Sequence, residues 1–454
     1  MRQAIRRSGI AAATTARRTG FRWVVLALIF LVYMIAGADR ANLGVVIPFL
    51  KESYKLSNTD IGAMTSLFFL GYAGLQIPFG ILFAKYGVRK LFTLSIVLTS
   101  LATLLMGFVG SALQMKAVRL LLGAAEGPLN IGIITTINRW FPPQEKGTAT
   151  GVFMSSIKFA PALVPPVCAL IIVNFGWPYV FYLFAIPGFI TAMLWHWLVS
   201  DNPADSPFNS VAEVDYITSR EKPVRSMPTR PATQRRAASP LIDRLIRART
   251  IVPLDTNAMV LRSGSLWGCA LGYFFMVGIT YTIMTWVPTY LVSVKHYTVI
   301  KMGFVAAAPW VGAMAGNIIG GWLSDKVFAR RRKPVMLITT AATVVMMYLL
   351  IYSPNEPVLL ATVLFGTGVL LNLGYSTFLA YPMGLVSKER CPFAASIVNT
   401  AGSLGGAFAP FVVGLLLDTL NWDSVFVFLS AMSLITFFIL LSMIEPLEDA
   451  STVR

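Results

Sequence analysis

The chain has 454 residues, of which 56% are apolar and 13% charged, and its formal net charge is +17. This composition excludes an ordinary soluble protein of such length, which would need far more polar surface. The basic excess would suit a nucleic-acid binder, but its placement along the chain argues for membrane orientation instead.

From the amino end, residues 1–21 carry Arg2, Arg6, Arg7, Arg17 and Arg18 and no acid, and read as a cytoplasmic tail, although organelle transit peptides share that composition. Apolar stretches then recur at roughly 22–47, 60–84, 91–110, 112–136, 147–173 and 177–199, each near the length that crosses a bilayer as a helix. They predict an amino-terminal six-helix bundle over 22–199. Residues 200–262 break the rhythm with Pro203, Pro207, Pro223, Pro228, Pro231 and Pro240 among mixed charges, and read as a partly disordered cytoplasmic linker with a short surface helix near 240–249. Six more spans are expected at 264–292, 301–325, 334–353, 357–386, 391–418 and 422–445, forming a carboxy-terminal bundle over 263–445. A cytoplasmic tail over 446–454 completes the chain. The expected fold class is an all-α membrane protein of twelve transmembrane helices in two six-helix bundles. Frequent Gly and Pro inside the spans suit packed membrane helices.

Numbering the spans with the amino terminus inside places Lys85, Arg89, Lys90, Lys326, Arg330, Arg331, Arg332, Lys333 and ten linker cations on one side, against Lys51, Lys55, Lys116, Lys295 and Lys301 on the other. This positive-inside bias predicts that both termini are cytoplasmic. The halves also echo each other. Gly80-Ile81-Leu82-Phe83-Ala84-Lys85 closes the second span and Gly321-Trp322-Leu323-Ser324-Asp325-Lys326 the eighth. Two six-span repeats around a midplane site form a common transporter plan.

Five charged side chains, Asp39, Arg40, Arg119, Glu126 and Lys158, interrupt the spans, all in the first half. Each would cost roughly 2.5–3.5 kcal/mol at bilayer depth if it faced lipid. They are therefore expected to face one another, a water-filled cavity or a ligand. Cys168, Cys269, Cys391, His196 and His296 are scattered and offer no metal site, no disulfide framework and no nucleophile–base pair. No enzyme activity, metal or cofactor is expected, and no nucleic-acid partner.

Several stretches resemble the major facilitator superfamily and, within it, the anion:cation symporter family. They are Ala38-Asp39-Arg40-Ala41-Asn42, Tyr72 with Gln76-Ile77-Pro78, Arg119-x-x-x-Gly123-x-x-Glu126, and Arg139-Trp140-Phe141-Pro142-x-x-Glu145-Lys146-Gly147, with the Gly-x-x-x-Asp-Lys pattern after the eighth span. The resemblance implies a monomeric carrier of small organic anions, driven by protons in bacterial members and seated in the cell inner membrane. Two departures stand out. Ala84 replaces the family's usual acid after span two, and Lys158 falls where some sugar-acid carriers have a neutral amide.

On this reading Arg40 and Lys158 take the substrate carboxylate, Arg by forked hydrogen bonds and Lys as a point charge. Asp39 and Glu126 accept protons, and Arg119 modulates Glu126. A permanent Arg119–Glu126 ion pair fixing helix packing is the competing expectation, as a static packing role is for Asp39 and snorkelling for Lys158. The neutral second half supplies Tyr281, Asn372, Tyr375 and Asn317 as polar candidates. The resemblance adds Asn399 and Tyr72. Arg89, Lys90, Arg139 and Asp325 are candidates for gating. With all five ionised the cluster carries net +1, and protonating one carboxylate makes it +2, which links proton and anion binding. The expected function is proton-coupled uptake of a small organic anion such as a sugar acid. A drug–proton exporter and a non-transporting membrane sensor are the alternatives. The exporter's Gly-rich, Pro-containing signature in span five is replaced here by Ser155-Ser156-Ile157-Lys158-Phe159-Ala160-Pro161.

Overall fold

The computed structural model describes residues 18–218, 246–329, 331–387 and 389–447, excluding a few side chains in 77–84. The expected linker helix near 240–249 falls partly outside these residues, as do most of the amino-terminal tail, Arg330, residues 448–454 and the side chain of Ala84.

Among the described residues twelve long helices carry the fold. In the first half they are α1 (Arg22–Tyr54), α2 (Asn58–Tyr86), α3 (Val88–Met106), α4 (Ala112–Trp140), α5 (Pro143–Phe175) and α6 (Pro178–Leu198). In the second they are α7 (Gly264–Ser293), α8 (Val299–Trp322), α9 (Lys333–Leu349), α10 (Pro357–Leu385), α11 (Cys391–Thr419) and α12 (Trp422–Ser442). Among the described residues eleven are long and apolar enough to cross a membrane, and α2, of 29 residues, packs among them. Prolines stand inside most of these helices, where neighbouring helices keep the backbone satisfied. The span expected as one piece over 357–386 is interrupted after Asn372 and again at Tyr381, where Gly374 and Pro382 weaken helical continuity.

The same helix pairings occur twice. α1 packs on α5, α2 on α4 and α3 on α6; α7 packs on α11, α8 on α10 and α9 on α12. Small residues make the α2–α4 and α8–α10 contacts backbone-close. A Cβ on Gly123 would lie 1.9 Å from the Phe68 carbonyl, and one on Gly368 would lie 2.0 Å from that of Pro309. The main contacts between the halves are α2 with α11, α5 with α8 and α1 with α7.

The halves meet tightly at the end away from the described chain ends. There Asp418 on α11 accepts from the Asn58 and Thr59 main-chain N–H groups at 2.9 and 2.8 Å, and the Ser66 hydroxyl donates to the Ala407 carbonyl at 2.5 Å. On the α5–α8 seam a Cβ at Gly303 would crowd Pro165, whereas Gly147, Gly151 and Gly321, at the other end of that seam, face open space. The bundles therefore close at one end and part at the other.

Between the bundles the linker contributes a helix (Val211–Thr218) that docks under α1 and a six-residue helix (Asn257–Arg262) before α7. In place of the expected surface helix, Ala248–Thr250 forms a strand, β1, paired in parallel with β2 (Glu445–Leu447). The following Ile251-Val252-Pro253 run explains this, since β-branched residues and proline disfavour helix and suit extended chain.

Candidate functional site

The five intramembrane charges occupy one region but do not form the pairs that spacing alone suggested. Glu126 on α4 is fully buried, and its partner is Arg40 on α1, which donates through Nε at 2.9 Å and holds a second contact through Nη2 at 2.8 Å. Arg119 does not pair with Glu126. The two lie seven residues apart on one helix, about 10 Å along its axis, and each has turned to a partner on α1. Arg119 Nη1 instead donates to the main-chain carbonyl of Asp39 at 3.1 Å. Both guanidinium groups lie near the Phe68 ring, Arg40 at 5.5 Å and Arg119 at 5.6 Å, and the Tyr72 ring is 5.0 Å from Arg40. The carboxylate of Asp39, 1% exposed, accepts weakly from Asn42 at 3.4 Å.

Asp39 and Arg40 diverge as neighbours on a helix must: Asp39 enters the amino-terminal bundle and Arg40 turns to a cavity between the halves. Of the residues singled out in the sequence, Arg40, Lys158, Tyr281 and Tyr375 line it. Sequence reasoning missed Tyr33, Thr280 and Trp310, which line it too. Tyr33 sits seven residues, about two helical turns, before Arg40, so its place on the Arg40 face was the one available signal.

Lys158 does not snorkel. It is 8% exposed, donates to Asn372 Oδ1 on α10 at 3.0 Å and stands 4.0 Å from the Tyr375 ring centroid. Tyr281 accepts from Arg40 Nη1 at 3.4 Å. Tyr72 touches Arg40 without lining the cavity, and Asn372 reaches it through Lys158. Asn399 and Asn317 stay outside the lining; the Asn399 carbonyl accepts from Ser403, and the Asn317 amide donates to the Ala313 carbonyl.

The gating candidates lie apart from the cavity. Arg89 donates through Nε to the His196 carbonyl at 2.8 Å, and Arg139 lies 3.9 Å from the Asp201 carboxylate, so both meet at the carboxyl end of α6. Lys90 is exposed. Asp325, in a single π turn over Leu323–Val327, pairs with Arg332 at 2.7 Å inside its own loop.

A repeated six-helix plan, closed at one end over a central cavity with ionic walls, defines a membrane transporter. The chain belongs to the Major Facilitator Superfamily, whose sequence model matches residues 29–390 and 328–453. It is 30% identical to the probable galactarate/D-glucarate transporter GarP of Escherichia coli (strain K12), over 88% of this chain and 89% of that protein. It is 26% identical to the probable galactarate/D-glucarate transporter GudP of Bacillus subtilis (strain 168), over 95% of this chain and 94% of that protein. The solved structure of a D-xylose-proton symporter superposes with a TM-score of 0.71 at 14% identity, covering 93% of this chain and 98% of that one, and shares the fold. The chain is a multi-pass membrane transporter and not an enzyme.

Proposed function

We propose that this protein takes up a small organic anion, of the carboxylate class named for its sugar-acid relatives, by symport with protons. The observation that carries this is the Arg40–Glu126 ion pair at the cavity wall. While Glu126 is ionised it competes with any substrate carboxylate for Arg40. Protonating Glu126 frees the guanidinium, so proton and anion each favour binding of the other. Glu126 Oε1 and Arg119 Nε lack protein hydrogen bonds, which suits a network whose partners change during a cycle.

In this scheme Arg40 and Lys158 hold the anion, with Tyr281, Tyr375 and Asn372 on the facing bundle and Tyr72 behind Arg40. Asp39 is a second proton site, and Arg119 ties its backbone to α4. Asn399 would join only in another conformation. Arg89, Lys90, Arg139 and Asp325 act at the end where the bundles part. The positive-inside bias assigns that end to the cytoplasm of a bacterial inner membrane, with both termini and the linker there, so the described state is open inward. An exporter of cationic drugs is disfavoured by cations in the cavity wall.

Uptake of labelled galactarate into cells or proteoliposomes tests the reading. A proton gradient should drive accumulation, and Glu126→Gln should abolish that accumulation while sparing exchange of internal for external substrate. Unchanged accumulation in that variant would sink the assignment.

A further inference from the structure

Four of the five intramembrane charges balance within the amino-terminal bundle, two carboxylates against two guanidinium groups. The net +1 of the cluster is therefore localised on Lys158. Its ammonium has an amide oxygen and an aromatic face for company, and among the described residues it forms no ion pair. A buried ammonium without a counter-charge is costly to keep and in membrane proteins marks a ligand path. Arg40, the other cation of the cavity, is already matched by Glu126.

Several of the groups that could read hydroxyls are already engaged. The Asn372 amide accepts from Lys158 and donates to the Gly368 carbonyl at 3.0 Å. The Thr280 hydroxyl donates to the Met276 carbonyl at 2.9 Å, and the Tyr281 hydroxyl accepts from Arg40. Apart from the phenols Tyr33 and Tyr375, the rest of the wall is largely apolar, with Ile157, Pro161, Met284 and Trp310. Such a cavity counts charges on its ligand more sharply than it reads a hydroxyl pattern.

We propose that Lys158 is a second anion subsite, separate from the Arg40 subsite in the same cavity, and that the preferred substrate is a dianion. This rests on the transport reading above. One anionic group meets Lys158, displacing its contact with Asn372 and so loosening a tie between the two bundles. The other meets Arg40 once Glu126 is protonated.

Binding to the purified full-length protein, followed calorimetrically at acidic and neutral pH, tests the proposal with three six-carbon acids. Galactarate has two carboxylates and a hydroxylated body, galactonate one carboxylate and the same kind of body, and adipate two carboxylates and no hydroxyls. Galactarate and adipate should each bind about ten- to a hundredfold tighter than galactonate, the worth of one charged hydrogen-bonded contact. Lys158→Gln should collapse that ratio and Lys158→Arg should retain it, both compared at matched melting temperature. The comparison on the unmodified protein stands even if a variant fails to fold. Galactonate binding as tightly as galactarate, adipate binding more weakly than galactonate, or an unchanged ratio in folded Lys158→Gln would each overturn the proposal. If galactonate wins while uptake stays proton-driven, the second subsite falls and the transport reading survives. If no carboxylate binds at either pH, both fall.

Discussion

Glu213, in the linker, reaches Arg22 at the start of α1 with a 2.6 Å ion pair whose carboxylate is fully buried. Glu145 at the start of α5 holds the same guanidinium at 2.7 Å, Tyr216 donates to Glu145 at 3.0 Å, and the Arg18 guanidinium covers the Tyr216 ring. The linker is thus clasped to the ends of α1 and α5. Glu213→Ala should cost about 3 kcal/mol, the low end for breaking a buried pair, because Glu145 still faces Arg22. Thermal unfolding of the single variants and of the double variant with Arg22→Met measures the coupling. Additive losses would show that the pair is not coupled.

Asp201 stands at the amino end of α3, where its carboxylate accepts from the Arg89 main-chain N–H at 2.9 Å and from that of Val88. An acid at this spot satisfies orphan donors and complements the helix dipole. It arrives from beyond α6, whereas the family's usual acid would sit where this chain has Ala84. Asp201→Ala should cost about 1 kcal/mol, as loss of a helix cap does, and should speed hydrogen exchange at Val88 and Arg89. Unaltered exchange there would argue against the cap.

Asp418 ties α11 to the start of α2 across the closed end, accepting also from the Thr59 hydroxyl at 2.6 Å. Asp418→Ala should weaken closure by about 1 kcal/mol, since the group is exposed. Spin labels at Lys55 and Leu420 should then report a broader and longer distance distribution than in the parent protein.

Gly123 and Gly321 should respond oppositely to alanine. At Gly123 the new methyl group would strike the Phe68 carbonyl, forcing α2 and α4 apart beside Glu126, with a cost of about 1–3 kcal/mol. At Gly321 nothing lies within 4 Å, so Gly321→Ala should be neutral or gain up to about 1 kcal/mol from helix propensity. Melting temperatures of the two variants, side by side, decide this.

Glu445, beyond the last span, accepts from the Arg332 and Lys333 main-chain N–H groups at 2.8 and 2.9 Å. Burial nonetheless holds its carboxyl above the ordinary carboxylate range, outweighing those bonds. A raised folded-state pKa means that the unfolded chain loses its proton first as pH rises. The contribution to stability is therefore present below the ordinary carboxylate pKa and is lost as pH climbs through the raised one. The melting temperature of the parent protein relative to Glu445→Gln should thus improve on acidification through that window. A difference independent of pH would contradict the shift.

The sequence by itself determined the twelve helices, the duplicated plan and the five charges that the membrane forbids to face lipid. Those follow from hydropathy over windows of about twenty residues and from short repeated motifs, which is local information. It also marked Arg40, Lys158, Tyr281 and Tyr375, which the fold gathers at one cavity. The tertiary structure alone decided who pairs with whom. Glu126 meets Arg40 and not Arg119, Lys158 meets Asn372 across the bundle boundary, Asp201 supplies the acid near α3, and Asn399 stays off the lining while Tyr33, Thr280 and Trp310 join it. Such pairings depend on the rotation and axial offset of helices distant in sequence. Those are set by the summed packing of many side chains and by glycine contacts such as Gly123 on Phe68, which no short window of residues encodes.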